Sequence, residues 1–282
     1  MRAMPIQAVT GHTGFVQLKA AFKKNYIHYL QEALGLGIFM LSACFFGAML
    51  FSPSSSWQQA IASNMASNII MGIMMGLTAL LIFYSPLTAP GGAQINPAVT
   101  ITFLHLNRMC RYDALFYILF QFTGGTLAVF IMQWLMGNML TDAPVHSVVT
   151  IPGKMGATAA AITEFCIAFA MMAMVLFTSA SKPLKKYTRI FAGFMVCLYV
   201  IFAGPLSGFG MNPARSFASA FASGIYTSFW IYCIIPFAGM LAAAEFYLIT
   251  ISIKRKYRLK IVHKNLHLKD TSNEKIFKDF TF

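Results

Sequence analysis

Six runs of about twenty apolar residues, at 29 to 51, 65 to 86, 113 to 136, 158 to 180, 189 to 207 and 226 to 252, decide what this chain can become. A helix of roughly 20 apolar residues crosses a hydrocarbon core about 30 Å thick. Inside that core every backbone polar group must find its partner within the protein, so runs of this length cross as helices. With 58% hydrophobic and 10% charged residues, the chain holds more apolar surface than one water-soluble core can cover. The fold class expected is an all-α membrane protein: six transmembrane helices over 29 to 253, an N-terminal segment 1 to 28 and a basic tail 254 to 282.

The formal charge of +13 does not mark a nucleic-acid surface, because the cations lie between the apolar runs. Lys19, Lys23 and Lys24 precede the first run, Arg108 and Arg111 the third; Lys182, Lys185, Lys186 and Arg189 follow the fourth, and Lys254, Arg255, Lys256, Arg258 and Lys260 the sixth. The alternate connections carry only Lys154 and Arg215. The positive-inside rule then puts both termini in the cytoplasm of a multi-pass protein of the cell membrane, as an even number of spans requires. The first 28 residues lack the apolar core and small-residue cleavage site of a signal peptide. Five cysteines show neither a CxxC pair nor a histidine at metal-ligand spacing, so no disulfide, metal or cofactor is expected. The tail reads as a flexible or membrane-surface segment.

The chain repeats itself. Ile95-Asn96-Pro97-Ala98-Val99-Thr100 returns as Met211-Asn212-Pro213-Ala214-Arg215-Ser216, offset by 212 − 96 = 116 residues. Each copy follows a Gly-rich approach, Gly91-Gly92-Ala93 and Gly208-Phe209-Gly210, and each half carries one early carboxylate, Glu32 or Glu164. Three spans per half, an odd number, insert the second repeat (about 158 to 252) upside down relative to the first (about 29 to 136). Asn is a favoured N-cap and Pro a favoured first helical residue, so each triplet starts a helix. Both segments are too short to span, and the inversion points their N-termini at each other from opposite leaflets. Non-helical backbone at that depth is tolerated where it lines a wet cavity, so 87 to 95 and 204 to 211 are expected to line a path, with their carbonyls facing it.

With these residues in place, the region from about 28 to 253 resembles the aquaporin (major intrinsic protein) family. Gly92 to Thr100 and Ser207 to Ser216 are similar to its two signatures. The resemblance implies six tilted helices with two re-entrant half-helices, a pore in each subunit of a homotetramer, and passive passage of water or small neutral solutes such as glycerol. It also implies that Asn96 and Asn212 fix their carbonyls on nearby backbone and offer their amide donors to the permeant. Pro97, Ala98, Pro213 and Ala214 complete the motifs. Arg215 would line the constriction and repel cations, while Glu32 and Glu164 would accept hydrogen bonds from the approach loops. Gln94 stands where many members have histidine, and neither His105, His146 nor His263 has a partner at useful sequence spacing.

The constriction maps to Arg215, Phe209, Val200 and, in the second span, Met75, or Gly76 when counted back from Asn96. Phe209 with a small apolar partner at Val200 resembles glycerol-conducting relatives. Ser216, Ala220, Phe229 and Trp230, and the short stretch from Arg215 to Tyr226, resemble the water group, which is ranked first. Gly72 and Gly76, and likewise Gly124, Gly125 and Gly239, are read as packing positions. An ion-coupled transporter would need further intramembrane acids, and beyond Glu32 and Glu164 the interior of the spans offers only Glu245. An enzyme would need a nucleophile, base or metal cluster, and none is readable.

Overall fold

The computed structural model describes residues 14–278, with side chains through 253. Residues 1–13 of the expected N-terminal segment and the tail side chains lie outside the described residues. Long helices form along the apolar runs: α1 (Gly14–Phe51), α3 (Asn64–Tyr84), α5 (Arg111–Met136), α7 (Gly156–Ala180), α8 (Thr188–Phe202) and α11 (Phe229–Lys278), the last of which keeps Pro236 inside it. Short helices fill the connections: α2 (Ser56–Ile61), α4 (Pro97–His105), α6 (Asn138–Thr141), α9 (Gly204–Ser207) and α10 (Pro213–Ser223). No strand occurs among the described residues.

Two boundaries depart from the sequence reading. Helix α1 begins 15 residues before position 29, because Leu18, Ala20, Ala21 and the lysines around Phe22 are good helix formers and hydropathy reports only where lipid begins. Helix α11 likewise runs on to Lys278, through the segment expected to be a flexible or membrane-surface tail. The fifth run divides: α8 has 15 residues, about 22 Å at 1.5 Å per residue. It ends before Gly204-Pro205, and the four-residue α9 carries the chain onward. Among the described residues, five helices are individually long and apolar enough to cross a membrane.

Each repeat assembles in the same way. In the first, α1 packs along α5 and beside α3; in the second, α7 packs along α11 and beside α8. The halves join through α3 against α8, and each half-helix reaches across, α4 onto α11 and α10 onto α5. Missing side chains make these approaches possible. A Cβ at Gly124 would fall on the Ala33 carbonyl, and one at Gly239 would lie 2.7 Å from the Phe165 carbonyl. Ala33 and Phe165 directly follow Glu32 and Glu164, so the crossing and the buried acid are adjacent in both halves. Across the α3/α8 contact, a Cβ at Gly76 would lie 2.8 Å from Cys197 Cβ.

Gly124→Ala therefore forces α1 and α5 apart, at about 1–3 kcal/mol for an overpacked contact. Thermal melting in detergent should show a lower midpoint for Gly124→Ala and none for Gly204→Ala, where a Cβ meets open space.

Candidate functional site: two half-helices meeting end to end

Pro97 and Pro213 occupy the first turns of α4 and α10, and Asn96 and Asn212 cap them in extended conformations. Asn96 Oδ1 accepts from the Ala98 amide at 2.9 Å; Asn212 Oδ1 accepts from Ala214 at 3.0 Å and from Arg215 at 3.3 Å. The amide groups cross between the halves. Asn96 Nδ2 donates to the Met211 carbonyl at 2.9 Å, and Asn212 Nδ2 donates to the Ile95 carbonyl at 2.6 Å. Both asparagines are buried, and the two helix starts face each other. An amide nitrogen carries two hydrogens, so each side chain keeps a second donor after this exchange.

The loops leading to these caps are strained. Ala93 and Ile95 in one, and Phe209 and Met211 in the other, take φ values of 45° to 50°. Such left-handed backbone at non-glycine residues costs on the order of 1–3 kcal/mol each. It turns successive N–H groups to one side, where a carboxylate waits. Glu32 accepts from the amides of Gln94 at 2.8 Å and Ile95 at 2.6 Å, and from Gln121 Nε2 at 2.8 Å. Glu164 accepts from the amides of Gly210 and Met211, the first at 2.8 Å, and from Ser207 Oγ at 2.6 Å. Each buried carboxylate thus holds three donors, which is what keeps a charge tolerable at membrane depth.

Sequence reasoning missed a further matched pair. Tyr117 OH donates to the Gly91 carbonyl at 2.6 Å, and Tyr232 OH donates to the Ser207 carbonyl at 2.7 Å. Their offset, 232 − 117 = 115, equals that of Gln121 and Pro236, 236 − 121 = 115, so the repeat could have revealed them. The loop carbonyls of Gly91, Ile95, Ser207 and Met211 each accept from a protein donor.

A cavity of about 170 Å³ is lined by residues that include Phe39, Ala43, Met75, Val200, Phe209 and Arg215, and also Asn68 and Met71. All four constriction candidates therefore border one space, Met75 among them, whereas Gly76 packs against α8. Arg215 is 8% exposed, and its Nη1 has no hydrogen-bond partner. A buried guanidinium N–H without a partner is a donor waiting for an acceptor. Gln94, in contrast, is engaged with Thr100 at 2.8 Å. One pairing was not expected at all: His105 Nε2, at the end of α4, lies 2.5 Å from Glu245 Oε1 on α11. Among the described residues no three His, Cys, Asp or Glu side chains converge as a metal site would require.

Two capped half-helices meeting inside a bundle of long apolar helices define a multi-pass membrane protein with an inverted repeat. The model of the major intrinsic protein family matches residues 17–247, and the chain belongs to that family. It is 34% identical to aquaporin TIP4-3 of Zea mays over 52% of this chain and 58% of that one. It is 28% identical to aquaporin NIP1-1 of Zea mays over 86% of this chain and 81% of that one. With four such curated relatives the alignment spans 56% to 65% of their length. In fold it is similar to the solved aquaglyceroporin of Plasmodium falciparum, with a TM-score of 0.66 at 18% identity, covering 79% of this chain and 95% of that one.

Removing either carboxylate should unlatch a strained loop. Glu32→Ala and Glu164→Ala each strand two backbone N–H groups, at about 1–3 kcal/mol per group. Glu→Gln at either site loses at least one bond whichever way the amide turns. Denaturation in detergent should rank wild type above the Gln variants and those above Ala.

Proposed function

We propose that this chain is a passive channel for water that also passes small neutral solutes. The observation that carries the reading is the crossed pair of asparagine amides at the meeting helix starts, together with a cavity that Arg215 lines. A molecule in this passage meets donors at Asn96, Asn212 and Arg215. Two half-helix N-termini contribute roughly half a positive charge each, and the guanidinium adds a full one. Cations are repelled, while a water or hydroxyl oxygen finds three places to accept. A water that accepts from both asparagines is turned so that its neighbours cannot pass a proton through it.

The remaining members of the passage have supporting roles. Pro97, Ala98, Pro213 and Ala214 start the half-helices; Glu32 and Glu164 hold the loops; Met75, Val200 and Phe209 narrow the cavity opposite Arg215. The chain assembles as a homotetramer in the cell membrane with a pore in each subunit and both termini cytoplasmic, the orientation that its cation distribution favours.

A second reading, a facilitator for glycerol and similar small polyols, is favoured by one feature. Phe39, Met75, Val200 and Phe209 line the same cavity as Arg215, and a space with apolar side chains and one cation suits a solute with a hydrocarbon edge and hydroxyls.

Purified protein in lipid vesicles separates these readings. Osmotic shrinkage faster than that of empty vesicles, with slower glycerol uptake, is the expected result; shrinkage no faster than lipid alone with rapid glycerol uptake reverses the order. Arg215→Val removes the charge and opens the cavity. It should admit glycerol or protons more readily, and unchanged selectivity would mean that Arg215 does not face the permeant.

A further inference from the structure

Among the described residues that line the 170 Å³ cavity, Asn68 and Arg215 are the only two with nitrogen or oxygen in their side chains; the rest are apolar or glycine. Asn68 stands in the second turn of α3. Asn68, Met71 and Met75 follow at steps of three and four, so they share one face of that helix, and all three border the cavity. Met75 is 75 − 68 = 7 residues further on, about 10 Å along the axis at 1.5 Å per residue. Sequence reasoning passed Asn68 over, because an amide in the first turns of a span reads as an ordinary end of a hydrophobic run.

The polar groups of α3 are treated differently along this face. Thr78, three residues past Met75, is within 2.7 Å of Ser42 Oγ and donates to the Met74 carbonyl at 2.8 Å. The partly buried Asn68 side chain forms no hydrogen bond among the described residues. Asparagine is a weak helix former, and this one gains no internal bond in return. What it does bring to the cavity is a chemistry that Arg215 lacks. A guanidinium donates and never accepts, whereas a side-chain amide also carries a carbonyl oxygen. Asn68 therefore holds the only side-chain oxygen among the lining residues.

We propose that Asn68 is a specificity-determining residue of the passage, supplying the hydrogen-bond acceptor that admits small neutral solutes bearing two or more hydroxyls. This rests on the reading of the chain as a channel and names the solute class that the same site selects. A hydroxyl both donates and accepts. A polyol whose oxygens accept from Arg215 still has hydroxyl hydrogens to place, in a space whose other side chains are apolar. A polar group left unmatched there costs more than a matched one gains, so the acceptor decides how readily the polyol enters. Water depends on Asn68 far less, because in a file of waters each molecule finds an acceptor in its neighbour. Removing the amide should therefore separate the two permeants.

The experiment measures water flux by osmotic shrinkage and glycerol entry by re-swelling, on the same vesicles holding the full chain. Asn68→Leu removes the acceptor at nearly constant volume, and Asn68→Ala removes it while enlarging the space. On the scale of one net hydrogen bond, the ratio of glycerol to water flux should fall about fivefold in both variants. Taking the ratio corrects for differences in the amount of folded channel. A ratio that rises in Asn68→Ala would make the residue a steric spacer, and a ratio unchanged in both variants would leave it no part in selection; either result overturns the proposal. So does a wild type that conducts water and no glycerol. Should one variant fail to fold, the other decides. A wild type that passes neither permeant faster than empty vesicles would instead overturn the channel reading itself.

Discussion

Everything at the meeting point of the half-helices hangs on two carboxylates buried where a charge is least welcome. Glu32 and Glu164 sit at membrane depth, and each draws two consecutive backbone amides of a strained loop toward itself. The strain and the charge answer each other. Left-handed backbone at Ala93, Ile95, Phe209 and Met211 would relax without an acceptor for the amides it exposes, and the acids would be intolerable without those donors. Because the loops are held this way, the carbonyls of Ile95 and Met211 face across the midplane, and the asparagines can cross-bond to them.

The acids are placed by packing. In each half the residue after the glutamate is where a glycine of the third helix comes closest: Gly124 at Ala33, Gly239 at Phe165. Helix crossing and loop support are therefore one arrangement seen at neighbouring residues. With no hydrophobic drive between helices in lipid, such close approaches supply dispersion contact that larger side chains would forbid. Tyr117 and Tyr232 add a second tie from the third helix to each loop.

The two halves are not copies in their chemistry. The first half completes its carboxylate with Gln121, which also donates to Thr100; the second uses Ser207 from the loop itself, since Pro236 stands where a side-chain donor would be. Arg215 follows Asn212, whereas Val99 stands at the matching place after Asn96, so the guanidinium and the cavity belong to one side of the meeting point. The His105 to Glu245 contact belongs to the other half-helix. An inverted repeat supplies a symmetric frame, and the departures from symmetry give the two sides of the meeting point different character.

Much of this was legible in the residues. Span number, the inverted repeat, both helix starts and the residues bordering the cavity follow from apolar run length, the Asn-Pro-Ala echoes and the family resemblance, because these depend on local conformation and on the lipid as solvent. Sequence reasoning placed α1 and α11 short, since hydropathy marks where lipid ends and helices continue into water. It left the second-span position between Met75 and Gly76, and only the α3/α8 crossing, with Gly76 against Cys197, turned Met75 toward the cavity. Tyr117, Tyr232 and the His105 to Glu245 contact went unseen because each joins residues 25 to 140 positions apart. The chain's own order thus determined which segments cross the bilayer and where the half-helices begin. Which side chains meet was decided by the tertiary structure, because close approach of helices depends on how their surfaces interlock, and that is a property of pairs no single segment contains.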